Sequence, residues 1–74
     1  MEYGEISIDE LHNRFSYHQP KTGQPERYEG IRNYAHGLAS LINNACPASR
    51  EKALALTHLD EVVMWAIAAI ARNE

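Results

Sequence analysis

Four of the seven basic residues (Arg14, Lys21, Arg27 and Arg32) and three of the four histidines (His12, His18 and His36) fall in the first half of the chain. Phe15, Tyr17, Tyr28 and Tyr34 are interleaved with them. A cation beside a flat aromatic suits a phosphorylated ring compound: the ring stacks while guanidinium or ammonium groups meet the phosphates. The plainer alternative is that Phe15 and Tyr28 anchor a loop and the charges are merely solvated. Tyr17 fits either reading, because it sits between Ser16 and His18 in a polar stretch. The usual catalytic patterns are absent: there is no G-x-S-x-G, H-E-x-x-H, Gly-rich phosphate loop or Cys-x-x-Cys. Scattered histidines without ligand spacing give no metal site, and no cofactor is expected. Binding is favoured over catalysis.

Two further groups of residues stand out. Gly30, Asn33 and Gly37 share one helical stripe, and glycine inside a helix costs about 0.5–1 kcal/mol relative to alanine. Their spacing points to close approach there by another helix, by a ligand, or by both if copies of the chain meet around a small polar hollow. Trp65 points away from the inner stripe of its helix, with Glu61 one turn before it and Arg72 further along the same side. An outward Trp reads first as an oligomer contact, and Val62 and Ile67 in the same apolar run are placed with it in that interface. Arg72 also suits the negative end of a helix dipole, and His58 reads as a surface or interface residue.

The elements that must position these residues are helical. Met1 to Gly4 reads as a frayed end. Ser7 followed by Glu10 resembles a capping box, opening a short helix whose apolar edge is Ile8, Leu11 and Phe15. At two turns it must dock onto something. Residues 14–24 contain Pro20 and Gly23, have no period and read as a loop. Pro25 and Glu26 then suit the first turn of a helix over 25–46. Its inner stripe is expected at Tyr28, Ile31, Ala35, Leu38, Ile42 and Ala45, flanked by Tyr34 and Leu41. Pro47 interrupts, Ser49 caps, and a second long helix runs over 49–73. So short a connection forces antiparallel neighbours, an αα-hairpin.

That second helix is built largely from Ala, Leu, Met and Glu, which lose little side-chain freedom in a helix. Leu56, Leu59, Val63, Ala66 and Ile70 form its inner stripe. From Val62 onward, however, ten consecutive residues are apolar and cover every side. A 74-residue chain has too few partners for such a helix. Its single cysteine, Cys46, excludes an internal disulfide and reads as a small buried residue. The expectation is therefore self-assembly. A net charge of -3 argues against DNA or RNA coating. Ten apolar residues fall short of the roughly 18 of a membrane span. The acidic, polar N-terminus is no secretory signal, so the chain reads as soluble and cytoplasmic.

The segments RFSYHQPKTGQPERYEGIRNYA and CPASREKALALTHLDEVVMWAIAAIARN resemble the small phage anti-CBASS sponge proteins, whose hairpin domain is shared with the anti-Thoeris sponges. The resemblance runs from about Arg14 to Asn73. The chain as a whole reads as an all-α single domain over residues 1–74: an N-terminal arm with a short helix over 1–13, then the loop and hairpin. The resemblance implies assembly as a compact homo-oligomer, typically a hexamer. It also implies a protein without enzymatic activity, which sequesters cyclic oligonucleotide messengers such as cGAMP in the cytoplasm of the infected host. Residue by residue, Tyr17 resembles the aromatic that stacks on a base. Arg32 stands where a basic residue faces the phosphates, and Arg72 matches an arginine contributed from helix two of a neighbouring chain. His18 and Asn13 join them in the expected cyclic dinucleotide site. Gly30, Asn33 and His36 fall where some members hold cyclic trinucleotides. Two rivals stand beside this reading: a structural or adaptor oligomer that binds a host protein through the Trp65 side, and a phosphodiesterase-like enzyme.

Overall fold

Three helices account for the fold of the computed structural model, which describes residues 5–74: α1 (Ile8–Phe15), α2 (Gln24–Ala45) and α3 (Arg50–Asn73). There is no strand among the described residues. The expected frayed end, residues 1–4, lies outside them. α1 reaches Phe15, two residues beyond the expected end of the arm. Gln24, assigned to the loop from sequence, is the first helical residue of α2.

The caps explain where the helices begin. The Ser7 hydroxyl accepts a hydrogen bond from the Glu10 N–H at 3.1 Å. The return half of the capping box is not made, because the Glu10 carboxylate instead takes Arg14 Nε at 2.8 Å, one turn on. The bonded guanidinium holds the Glu10 carboxyl below its ordinary value. Ser49 caps α3 by accepting from the Lys52 N–H at 3.1 Å, and its own hydroxyl donates to the Pro47 carbonyl at 3.0 Å. Lys52 Nζ then crosses to the Asn43 carbonyl at 2.9 Å, clipping the start of α3 to the last turn of α2.

α2 has no side-chain cap. Gly23 precedes it at φ 86°, and the Gln24 N–H donates to the Lys21 carbonyl at 3.0 Å. The left-handed third position of such a turn is where glycine is needed. The turn delivers the chain to Pro25, which has no N–H to leave unsatisfied in the first helical turn.

α2 and α3 pack side by side and antiparallel, as the contacts at both ends require. At about 1.5 Å per residue, the 24 residues of α3 extend ~36 Å. The inner stripe of α3 is as expected, since Leu56, Leu59, Val63, Ala66 and Ile70 are all half-buried. On α2 the half-buried residues are Tyr28, Gly30, Ile31, Ala35, Ala39 and Ile42. Leu38 and Ala45, placed on the inner stripe from sequence, are exposed instead. At 3.6 residues per turn, Ala39 rather than Leu38 continues the line from Ala35, and its small side chain brings the two helices close.

Among the described residues no hydrophobic side chain is fully buried. The radius of gyration is 15.9 Å, against about 11 Å for a compact chain of this length, and the short axis is only 17 Å. A slab one helix thick has no interior. The apolar edge of α1 does not dock within the chain: Ile8 is 83% and Phe15 84% exposed. α1 meets the hairpin through its polar side, where Glu10 and Asn13 share a hollow with Trp65, Ala68 and Arg72. Cys46, expected to be buried, is exposed beside Pro47. By length and composition α3 is apolar enough to cross a membrane, which corrects the count from the uninterrupted apolar run alone.

Candidate functional site

The two ends of the hairpin are built differently, and the open end gathers most of the candidate residues. There, the loop after α1 runs past the last turn of α3. Asn13, Tyr17, His18, Lys21, Gln24, Arg72 and Glu74 line a hollow of about 500 Å³. That is the size of a small-ligand pocket, although this one is open to solvent. Tyr17 stands 84% exposed in it, a free aromatic face. His18 is tied down: its Nε2 lies 2.6 Å from the Asn13 carbonyl, which can only accept, so Nε2 carries the proton and donates. Asn13 thus serves through its backbone, anchoring the loop to α1.

The loop is anchored on its other side by Gln24, the one buried side chain among the described residues, at 3% exposure. Its Oε1 accepts from the Lys21 N–H at 3.0 Å and from the Tyr28 hydroxyl at 3.2 Å. Its Nε2 donates to Glu74 Oε1 at 3.4 Å. Glu74 also accepts Arg27 Nη1 on Oε2 at 3.0 Å and Arg27 Nη2 on Oε1, a two-point fork. Lys21 Nζ donates to the Glu74 carbonyl. The Arg27 bond is the main reason the Glu74 carboxyl is held below its ordinary value and the Arg27 guanidinium above its own. The pair is half exposed, so water screens most of its energy.

Sequence reasoning missed Gln24, Lys21 and Glu74 as a unit. Their bonds span some 50 positions and follow no period. The available signal was slight: a glutamine in the first turn of a helix, just after Gly23. Of the two aromatics expected to anchor the loop, Tyr28 does so through Gln24, whereas Phe15 points to solvent.

Arg32 is not at this end. It lies with His36 and Asp60 along a groove of about 480 Å³ between α2 and α3, floored by Ala35, Ala39, Leu56, Leu59 and Val63. Within one chain, then, Tyr17, His18, Asn13 and Arg72 come together, and Arg32 stays apart. On the glycine stripe, Asn33 and Gly37 are exposed and Gly30 is half-buried. A Cβ built at Gly30 or Gly37 would meet nothing within 4 Å, so none of the described residues makes the close approach expected there. Val62 and Trp65 are 59% and 66% exposed, and Ile67 is half-buried. His58 sits on the surface with its Nδ1 3.6 Å from Glu61. No group of three His, Cys, Asp or Glu among the described residues could hold a metal.

The family model described as the Acb2/Tad1 hairpin domain matches residues 7–71. The match begins at Ser7, so it takes in α1, which the resemblance from Arg14 onward left out. No curated protein and no solved structure gives a significant match. With the hairpin, its short leading helix and most of its length matched, the chain belongs to the Acb2/Tad1 hairpin family, the anti-CBASS and anti-Thoeris sponges.

Proposed function

We propose that this protein sequesters cyclic dinucleotide messengers of CBASS-type immunity, with cGAMP as the representative, and releases them unchanged. The observation that carries this reading is the open-end hollow, where an exposed Tyr17 face lies beside His18 and Arg72. A stacked base and two phosphates need that combination of a flat surface and cations. No side chain in the hollow has the partners of an activated nucleophile, which favours holding over hydrolysis.

The protein acts as a homo-oligomer, taken to be a hexamer, in the cytoplasm of the infected bacterium. In it, a neighbouring copy brings Arg32 towards the Tyr17 hollow. A cyclic dinucleotide has approximate two-fold symmetry, so a two-fold seam presents each residue twice, once to each half of the ligand. Gly30, Asn33 and His36 form a second candidate site, for cyclic trinucleotides, where the open flank of α2 leaves room between copies. Neither DNA, RNA nor a membrane is a partner. A bilayer would bury Asp60 midway along α3 at ~3 kcal/mol, with Glu61 beside it, whereas other copies can cover the apolar sides and leave both carboxylates wet.

The exposed Val62, Met64 and Trp65 favour one other reading, an adaptor that binds a host protein through this side. One experiment separates the cases: incubate the purified protein with cGAMP, then heat it and chromatograph the supernatant at each stage. Intact ligand recovered only after heating is the expected result. Linear product would make the protein an enzyme, and no depletion at any stage would leave the adaptor.

A further inference from the structure

Lys21 and Glu74 belong to the open-end hollow but have no part in the stacking and phosphate roles assigned so far. Lys21 lines it beside Tyr17, His18 and Arg72, yet its ammonium is occupied by the Glu74 carbonyl. Glu74 is itself held by Arg27 and Gln24, which place a carboxylate among the cations that would meet an incoming phosphate. A lysine in that position is the usual neutraliser of the carbonyl end of a helix. Here, however, its target lies at the edge of a solvent-open cavity, and both partners of the neighbouring ion pair are about half exposed. Nothing buries the contact, so an anion of the same reach can take it.

We infer that Lys21 is a further phosphate-binding residue of the hollow, and that the Glu74 carboxylate, held there by Arg27 and Gln24, is the resident counter-anion of the hollow as a whole, displaced by a ligand phosphate on binding. This rests on the sequestration reading above. Glu74 therefore limits affinity while keeping the empty site electrically quiet. With that carboxylate in place the hollow holds few bulk anions, so few are released when the ligand arrives.

The test is calorimetry with cGAMP on the full chain, over a series of salt concentrations, for the wild type, Glu74→Gln and Lys21→Gln. Glu74→Gln keeps the carbonyl and side-chain shape but removes the charge. It is expected to tighten binding about two- to fivefold and to steepen the slope of log K against log salt by up to about one, because the cations of the hollow then hold a bulk anion that the ligand displaces. Lys21→Gln, a change at an exposed side chain, is expected to weaken binding about tenfold and to shrink the gain from Glu74→Gln in the double variant. If the wild type binds while Glu74→Gln binds no tighter or keeps the wild-type salt slope, the counter-anion role is overturned. Unchanged affinity in Lys21→Gln overturns the phosphate role. No binding by the wild type overturns the sequestration reading, and this inference with it.

Discussion

The open end of the hairpin and its flanks solve opposite problems. At the open end a polar side chain, Gln24, is buried with its hydrogen bonds made inside one chain. Along the flanks, Tyr34, Leu38, Leu41, Val62, Met64 and Trp65 are exposed. Large apolar surfaces left open on a protein of this size mark contact with something else. Polar geometry is thus settled locally, and the apolar flanks are left open. The difference teaches that the loop beside the hollow takes its shape from bonds within one chain, while the apolar flanks find no full cover there.

The largest effect is expected from charging the flank. Trp65→Glu places a carboxylate where copies are proposed to meet, and the assembly should fall to smaller species with a large loss of thermal stability. Light scattering that still reports the wild-type mass would remove Trp65 from the interface. Next come Tyr17→Ala and Arg32→Ala, each expected to weaken cGAMP binding at least tenfold while the assembly mass stays unchanged. Unaltered affinity in both, by calorimetry, would dissolve the proposed seam between the Tyr17 hollow and the Arg32 groove.

Gln24→Leu sharpens the comparison from the polar side. It strips the Lys21 N–H and the Tyr28 hydroxyl of their acceptor at a buried position, at a cost of about 1–3 kcal/mol. Hydrogen exchange at the Lys21 amide should speed up while amides midway along α3 are unaffected; equal acceleration in both would mean the two regions are not separable. The smallest effect is acid loss of the Glu74 contact. Because the folded carboxyl lies below its ordinary 4.5, the contact adds stability above that value. That stability fades as pH falls past 4.5 through the lowered folded value. Glu74→Gln should flatten the part of the melting-temperature profile below pH 4.5, and an identical profile in both proteins would deny the contact any weight.

What the sequence made legible follows from what is periodic or local. The stripe Leu56–Leu59–Val63–Ala66–Ile70, the Ser7 and Ser49 caps and Pro25 at the head of α2 could all be read, because a 3.6-residue repeat and a cap are short-range features. Leu38 was misplaced because Ala39 looks too small to mark a packing line, although smallness is what lets two helices approach. The outward turn of Ile8 and Phe15 was illegible for another reason: an apolar edge says that it needs a partner, not whether that partner is in the same chain. At the candidate site, Tyr17, His18 and Arg72 were picked out by residue type. Lys21 was noticed only as one of four cations among the aromatics and Glu74 not at all, since a lysine before a turn and a glutamate after a helix are unremarked anywhere on a surface.

The bond from His18 to the Asn13 carbonyl has a chemical corollary. An imidazole whose Nε2 hydrogen is committed to a carbonyl is, when neutral, a lone-pair bearer at Nδ1 and nothing else. Such a ring can greet an amino group but not a keto oxygen, so the edge it offers a nucleobase has a fixed polarity that only protonation reverses.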